Sequence, residues 1–197
     1  MIKRNIFFRK LIVKLFKLDE WHYSGHYEKE YAQCAVKMIN NLIERDEKAD
    51  GYILEIGCGL GDIIGHVKAK RNKKTGIDLE QKVVYAAGIL HPDTQFRKGS
   101  FASVRNQKIY CLIMVNLLHF INPDYAKEEI RKILENNRVE YVVLDELRDT
   151  ENTSYRYECH GDEILGKQYE PCYRSKRLNA AEGANRHIII YKKVGKR

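Results

Sequence analysis

Hydrophobic residues follow two different spacings along this chain, and the spacing separates expected strands from expected helices. From residue 51 onward, short uninterrupted apolar runs alternate with segments whose apolar residues recur every three or four positions. The first spacing predicts buried strands and the second predicts amphipathic helices. The alternation favours the doubly wound α/β class, in which helices cover both faces of a mostly parallel sheet.

Seven strands and three helices are expected in this part of the chain. The strands are expected at 52–56, 74–78, 95–99, 109–115, 140–145, near 168–174 and at 186–193. The helices are expected at 61–70, 81–90 and 124–136. Breaks that contain proline, at 91–93 and 122–124, end the second helix and open the third.

Two further helices are expected before the first strand. Residues 1–18 have a helical period with a lysine face and an opposite apolar face. The two faces consist of Lys3, Lys10, Lys14 and Lys17, and of Phe8, Ile12, Leu15 and Phe16. Residues 24–47 follow with Ser24 as the expected N-cap and an apolar face that begins at Tyr27 and Tyr31. We therefore expect an N-terminal helical extension, residues 1–50, and a second domain, residues 51–197.

The positive charge of the chain is concentrated at its start. Residues 1–18 hold six basic residues and no acidic one, while the net charge of the whole chain is +8. An enzyme of nucleic acids more often carries basic surface around its active site, so this distribution disfavours a nucleic-acid partner. A helix with a lysine face and an apolar face can lie on an anionic membrane. The alternative is that residues 1–18 pack on the domain or on a second subunit; the oligomeric state is left open.

The remaining composition is that of a cytoplasmic protein. The five cysteines are scattered without a CxxC pair, which favours reduced thiols and disfavours a disulfide framework or a cysteine zinc site. No apolar run has the length of a membrane-spanning helix. Basic residues interrupt the one candidate for the apolar part of a secretory signal. We expect a cytoplasmic location, with the inner face of the membrane as the alternative.

The segment with the most specific chemistry is "LEIGCGLG", residues 54–61. Gly57, Gly59 and Gly61 follow the first expected strand, where bare backbone allows a tight turn and the close approach of a ligand. Asp62 stands where a dinucleotide-binding pattern needs its third glycine, and no P-loop sequence follows. Asp78 ends the second expected strand, where a carboxylate can accept both hydroxyls of a ribose. A nucleotide-type cofactor is expected; a turn with no ligand is the alternative.

These residues resemble the class I S-adenosylmethionine-dependent methyltransferases over about residues 51–193. "LEIGCGLG" is similar to their first motif and "GIDLE" to their second. The resemblance implies S-adenosylmethionine as the cofactor, with the three glycines along its methionine part and Asp78 on its ribose. The other implied cofactor contacts are Glu55 at the amino group, Leu79 and Ser100 near the adenine, and Asn116.

Two residues after the fourth and fifth strands are the predicted catalytic residues. Methyl transfer to a hydroxyl needs a positioned acceptor and a group that removes its proton. His119 is the predicted base because an imidazole titrates near neutral pH, and Asp145 is the second candidate. The alternative for His119 is a purely local hydrogen bond. The "NLLH" sequence at 116–119 lacks the motif typical of enzymes that methylate base amines or glutamine.

Aromatic residues before the cofactor domain suggest the acceptor. With the motifs above, the segment that contains Trp21, His22, Ser24, Tyr27 and Tyr31 is similar to small methyltransferases encoded among bacterial surface-polysaccharide genes. This similarity implies a sugar hydroxyl as acceptor and predicts substrate contacts for Trp21, His22, Tyr27 and Tyr31. Tyr27 and Tyr31 have an alternative role as the core face of their helix. His22 lies four residues before His26, but no third ligand is evident, so no metal is expected.

The resulting hypothesis is a class I methyltransferase that acts on a hydroxyl of a sugar, a glycan or a related small metabolite. Three alternatives are kept: an RNA methyltransferase, a catalytically silent protein that binds S-adenosylmethionine, and a nicotinamide-dependent enzyme. The position of Asp62 counts against the last of these.

Overall fold

The sheet has the strand order β3-β2-β1-β4-β5-β8-β6, in which β1 to β5 are mutually parallel. The computed structural model describes residues 2–19, 22, 29–46, 50–70, 73–151, 153–179 and 184–195. β8 is antiparallel to both of its neighbours, and the two-residue β7 pairs only with β8. The strands are β1 (Tyr52–Ile56), β2 (Lys74–Asp78), β3 (Gln95–Lys98), β4 (Lys108–Met114), β5 (Arg138–Arg148), β6 (Tyr169–Arg174), β7 (Leu178–Asn179) and β8 (Asn185–Lys193). The expected doubly wound α/β class is confirmed.

Helices cover both faces of this sheet. They are α1 (Ile2–Leu15), α2 (Glu30–Arg45), α3 (Gln81–Leu90), α4 (Pro123–Asn136) and α5 (Gly161–Leu165). Successive side chains of β4 enter different apolar clusters: Leu112 packs with residues of α4, whereas Cys111 and Ile113 pack with residues of α2. This division explains why β4 is apolar at every buried position rather than at alternate ones.

Several predicted element boundaries are confirmed by their local chemistry. Asn122 caps α4, since its side-chain oxygen accepts hydrogen bonds from the amides of Asp124 and Tyr125, and Pro123 lies in the first turn. The expected start of α2 at Ser24 lies outside the described residues. Within them, Lys29 is an extended N-cap and α2 begins at Glu30, so the expected helix is wrong at residue 29, whereas Tyr31 lies on the buried face as predicted.

The predicted helix at 61–70 is wrong. Turns lead into a single 3₁₀ turn at Ile64–His66, and no α-helix forms in the described residues of this segment. Gly65 and the β-branched residues around it are weak helix formers. A Cβ at Gly65 would also stand 2.4 Å from the His91 ring, so the backbone packs against that ring. The consequence is a glycine loop without a regular helix behind it.

β5 is longer than the expected strand at 140–145. Its extension pairs with β8 in antiparallel register, including Leu147 with Arg186. The short elements α5 and β7 were also not expected. Their sequences are too short to show a period, and their positions depend on contacts made elsewhere in the fold.

α1 packs on the domain through part of the predicted apolar face, since Ile12 and the partly buried Phe16 lie against it. Ile12 and Val13 are buried, and they form one apolar cluster with Leu60, Val83 and Ala86. Phe8 and Leu15, which were expected on the same apolar face as Ile12, are exposed instead. No helix among the described residues is long and apolar enough to cross a membrane.

Candidate active site

The glycine loop after β1 adopts backbone angles that favour glycine. Gly57, Gly59 and Gly61 have φ values of +68°, +51° and +81°. A Cβ at Gly57 would stand 2.7 Å from the Leu117 side chain, so Leu117 packs directly against this backbone. A Cβ at Gly59 would have no described atom within 4 Å. The loop is therefore closed against the protein at Gly57 and open at Gly59.

Asp78, at the end of β2, holds the open part of the loop. Its Oδ2 accepts a hydrogen bond from the Gly59 amide at 3.0 Å, and its Oδ1 accepts one from the Glu80 amide at 3.1 Å. A carboxylate has about four lone-pair sites, so two bonds leave acceptor capacity for a ligand. The next side chain, Leu79, is exposed and offers an apolar surface beside the carboxylate. The structure therefore brings Asp78, Leu79 and the glycine loop together.

Glu55 lies buried beneath the loop. Its Oε2 accepts a hydrogen bond from the Ile64 amide at 2.9 Å, which fixes the turn that follows the glycines. Burial raises the pKa of the Glu55 carboxyl well above its usual value, and the charges of Asp62 and Asp78 add to this effect. Its contact with a cofactor amino group stays a prediction.

Ser100 follows β3 at the same edge of the sheet. The Gly99 amide donates to the Asp78 backbone carbonyl at 2.8 Å, which places this segment beside the end of β2. The Ser100 amide donates to Ser103 Oγ at 3.1 Å, and that hydroxyl donates to the Ser100 carbonyl. The turn is thus fixed by its own hydrogen bonds, and an adenine contact from Ser100 stays a prediction.

A second polar cluster lies where β4, β5 and β8 meet. Asn116 has φ +60°, and its amide donates to Asp145 Oδ1 at 3.0 Å. One nitrogen of Arg186, Nη2, donates to Asn116 Oδ1 at 2.9 Å and lies 3.1 Å from Asp145 Oδ2. Asp145 and Arg186 are both buried. The pair therefore fixes the backbone of Asn116, whose predicted role was in cofactor binding.

His119 lies in the same cluster. It is 0% exposed, and its Nδ1 is 3.9 Å from Asp145 Oδ2, beyond hydrogen-bond distance. Burial lowers the pKa of His119 to about 4, although the Asp145 carboxylate opposes this shift. Among the described residues, neither ring nitrogen has a hydrogen-bond partner. His119 is therefore a neutral, dry imidazole beside a carboxylate near pH 7.

Arg186 and Tyr155 also belong to this cluster, and neither was predicted from the sequence. The Arg186 guanidinium lies 4.4 Å from the ring centroid of Tyr31 and 5.4 Å from that of Tyr155. The Tyr155 ring meets the His119 ring edge-on at 4.8 Å. Arg186 occupies a buried position of β8, whose other buried residues, 188–191, form the apolar run IIIY. Tyr155 lies in a loop, where no period marks it.

The glycine loop and the polar cluster are neighbours. Leu117, whose side chain packs against Gly57, lies between Asn116 and His119 in sequence. The segment that carries the predicted base therefore touches the predicted cofactor loop. The two parts form one candidate site at the carboxyl edge of the sheet, the edge at which this fold class binds its ligands.

The predicted substrate residues are only partly described. Trp21 and Tyr27 lie outside the described residues, as do Ser24 and His26. His22 is buried, and its carbonyl accepts a hydrogen bond from Arg9 Nε at 2.9 Å. Burial also lowers the pKa of His22. Tyr31 lies on Arg186, and the contacts of His22 and Tyr31 with a substrate stay predictions.

A buried ion pair joins α1 to the glycine loop. Arg9 donates to both carboxylate oxygens of Asp62, at 2.6 and 2.9 Å. Asp62 directly follows Gly61, so the pair fixes the end of the loop. In the part of the chain that the structure describes, no group of three histidine, cysteine, aspartate or glutamate side chains is placed to hold a metal ion.

Solved structures similar to this one include methyltransferases. No protein-family model and no curated protein matches the chain. The magnesium protoporphyrin IX methyltransferase ChlM from Synechocystis PCC 6803, solved with bound S-adenosylhomocysteine, superposes with a TM-score of 0.67 at 14% identity, over 90% of this chain and 89% of its own. The chain has the class I methyltransferase fold.

Two other solved structures, both of longer chains, contain the same class I methyltransferase fold. The bifunctional kinase-methyltransferase WbdD superposes with a TM-score of 0.61 at 15% identity, over 83% of this chain and 39% of its own. The small RNA methyltransferase HEN1 superposes with a TM-score of 0.63 at 16% identity, over 85% of this chain and 25% of its own. At these identities the likeness establishes the fold.

The buried, neutral state of His119 predicts a loss of stability in acid. Its folded pKa of about 4 lies below the 6.5 of a free imidazole, so the unfolded chain binds the extra proton first. The stability that the neutral His119 contributes to the folded state is complete above about pH 6.5 and is lost as the pH falls to about 4. Between pH 7 and pH 4, we expect the free energy of unfolding of a His119→Gln variant to fall by about 3 kcal/mol less than that of the wild type. Urea unfolding at several pH values measures this difference, and parallel curves for the two proteins would contradict it.

Proposed function

We propose that this protein is an S-adenosylmethionine-dependent methyltransferase that transfers a methyl group to a hydroxyl of a sugar, a glycan or a related small metabolite. The main support is the open backbone at Gly59 with Asp78 beside it, at the carboxyl edge of a class I methyltransferase fold. The ChlM structures with the same fold hold S-adenosylmethionine or S-adenosylhomocysteine.

The residues at the glycine loop fit this cofactor. Space above Gly59 admits a ligand against the backbone, and the remaining lone pairs of Asp78 suit two ribose hydroxyls. Leu79 offers an exposed apolar face for an adenine ring. Glu55 lies beneath the glycine loop and Ser100 follows β3, so the two residues would contact the cofactor from two further directions.

The bound cofactor supplies a methyl group on a sulfonium, which is an electrophile without further activation. The protein must then position the acceptor oxygen and receive its proton. His119 is neutral near pH 7, so it would receive this proton if acceptor binding exposes its buried ring. Asp145 Oδ2, at 3.9 Å from Nδ1, would stabilise the resulting imidazolium, while burial excludes water from both side chains.

A hydroxyl acceptor is favoured by this local chemistry and by the sequence. A neutral imidazole beside a carboxylate suits an acceptor that must lose a proton. The "NLLH" segment lacks the motif associated with base amines. The resemblance of the segment from Trp21 to Tyr31 to polysaccharide-associated methyltransferases supports a sugar as the carrier of that hydroxyl.

Calorimetry followed by a transfer assay tests the proposal. Purified protein is titrated with S-adenosylmethionine and S-adenosylhomocysteine, and then incubated with labelled donor and a panel of nucleotide sugars and lipid-linked glycans. We expect binding of both nucleosides and label transfer to at least one sugar. Absence of binding would refute the cofactor assignment, and binding without any acceptor-dependent transfer would favour a silent binding protein.

A His119→Ala variant is expected to lower kcat by about 100-fold or more, because general-base catalysis commonly contributes at least that factor. Its affinity for S-adenosylmethionine should stay within about twofold of the wild type, since His119 belongs to the polar cluster and not to the glycine loop. Steady-state kinetics and calorimetry measure the two effects. His187→Ala on β8 is the matched control, because the His187 ring hydrogen-bonds to the Ser175 carbonyl and lies outside the polar cluster. A fully active His119→Ala variant would remove His119 as the base.

RNA methylation is the second candidate, favoured by the structural likeness to HEN1. An RNA substrate would be bound with a strong dependence on salt, because binding releases counterions from the phosphates. Filter binding with labelled RNA at low salt separates the two candidates. Retention that declines steeply with added salt would support RNA, and no retention at low salt would dismiss it.

A further inference from the structure

The outward face of α1 is a continuous apolar surface. Phe7, Phe8, Leu11 and Leu15 are 74%, 45%, 53% and 68% exposed. Phe7, Leu11 and Leu15 are spaced by four residues, so they lie in one row along the helix, with Phe8 beside them. Elsewhere in the described chain, Tyr85 and Ile89 of α3 are two exposed large apolar side chains on one helix, and the others come from separate elements. We call these four residues the outer face of α1.

The opposite face of α1 is already occupied. Ile12 and Val13 are buried with Leu60 of the glycine loop and Val83 of α3, and Arg9 forms its two hydrogen bonds with Asp62. These contacts hold the helix in one orientation on the domain. The outer face is therefore directed away from the protein, and rotating it inward would break a buried ion pair.

Lysines lie on α1 next to the outer face. Lys10 and Lys14 are exposed, and residues 1–18 contain no acidic side chain. The surface thus combines large apolar side chains with positive charge. A partner that matches both the apolar side chains and the lysines must offer an apolar layer and negative charge.

We propose that the outer face of α1 docks on an anionic lipid bilayer. Phe7, Phe8, Leu11 and Leu15 would enter the interface between head groups and acyl chains, and Lys10 and Lys14 would meet the lipid phosphates. A second copy of the chain would bring like charges together across a two-fold axis. A nucleic acid would match the lysines but would leave the apolar row in water. The bilayer satisfies both.

Docking in this orientation places the candidate site near the lipid surface. α1 contacts the glycine loop through Leu60 and Asp62, at the carboxyl edge of the sheet. If the proposed methyl transfer holds, on which this step rests, the acceptor hydroxyl belongs to a molecule presented at the membrane, such as a lipid-linked glycan. The docking surface itself does not depend on the identity of the reaction.

Vesicle sedimentation tests the docking surface on the full chain. We expect the wild type to pellet with phosphatidylcholine vesicles that contain phosphatidylglycerol and to stay in solution with phosphatidylcholine alone. A Lys10→Gln/Lys14→Gln variant should bind the anionic vesicles about 30-fold less tightly, since each basic side chain near such a surface contributes about 1 kcal/mol. A Phe7→Ser/Leu11→Ser variant should lose most of the binding. Both pairs are exposed, so the fold should be retained.

A matched control lies on α4. Tyr125→Ser/Lys127→Glu removes one exposed ring and one exposed lysine from another helix, and it should bind as the wild type does. Equal sedimentation of the wild type and the Phe7→Ser/Leu11→Ser variant would overturn the proposal. So would a dimer, seen by sedimentation velocity without lipid, that only this variant loses. Calorimetry with S-adenosylmethionine on the same samples reports separately on the proposed function.

Discussion

An Asp78→Ala variant is expected to bind S-adenosylmethionine about 100-fold more weakly than the wild type, or not at all. Two hydrogen bonds from ribose hydroxyls to a charged carboxylate together contribute about 3 kcal/mol, which corresponds to that factor. The variant also loses the bond from the Gly59 amide, so the loop that borders the cofactor becomes less ordered. Isothermal titration calorimetry with S-adenosylmethionine and with S-adenosylhomocysteine measures the effect.

Asp78→Asn separates these two contributions. Its side-chain oxygen can still accept from the Gly59 amide, but it has no charge and fewer acceptor sites for the ribose. We expect an affinity between those of the wild type and Asp78→Ala, with a Tm close to that of the wild type. Unchanged affinity in Asp78→Ala would refute the ribose contact. A large loss of Tm in both variants would show that Asp78 serves mainly the fold.

The second large effect is expected from the buried pair of Asp145 and Arg186. Both side chains are almost fully excluded from water, at 0% and 1% exposure. An Asp145→Asn variant leaves the Arg186 guanidinium buried without its counter-charge, which costs about 3–5 kcal/mol. Chemical unfolding at neutral pH measures this loss, and we expect the variant to unfold at a clearly lower denaturant concentration.

A double-mutant cycle measures the coupling energy between the Asp145 and Arg186 side chains. Arg186→Met keeps an unbranched side chain between the rings of Tyr31 and Tyr155 while removing the charge. The double variant Asp145→Asn/Arg186→Met should be more stable than the sum of the two single losses predicts, because neither charge is then left alone. Strict additivity would contradict a direct coupling between the two side chains.

The strands of the sheet were predictable because the sequence features that specify each strand lie within that strand or directly beside it. Apolar runs at 52–56 and 109–115 are buried on both faces, and Asn122-Pro123 carries its own capping chemistry. The glycine loop was predictable for the same reason, since alternate glycines directly after a buried strand disfavour both helix and strand and favour a tight turn. Asp78 followed from its place at the end of the next strand.

What escaped prediction depends on contacts between distant residues. The period of residues 1–18 shows that one side of α1 is apolar, but not that Ile12 would face Leu60 while Leu15 faces outward. The expected helix at 61–70 does not form, and the backbone at Gly65 instead packs against the ring of His91, a residue outside that segment. Arg186 lies 70 residues from its partner Asn116. No spacing within a short window reports such a pair.

The contact between Gly57 and Leu117 couples the glycine loop to the segment that carries the predicted base. Gly57 has φ +68°, and a methyl group at this position would stand 2.7 Å from the Leu117 side chain. A larger residue at 57 would therefore strain the backbone and displace Leu117, whose neighbours in sequence include Asn116 and His119. A substitution made in one part of the site would thus disturb the other.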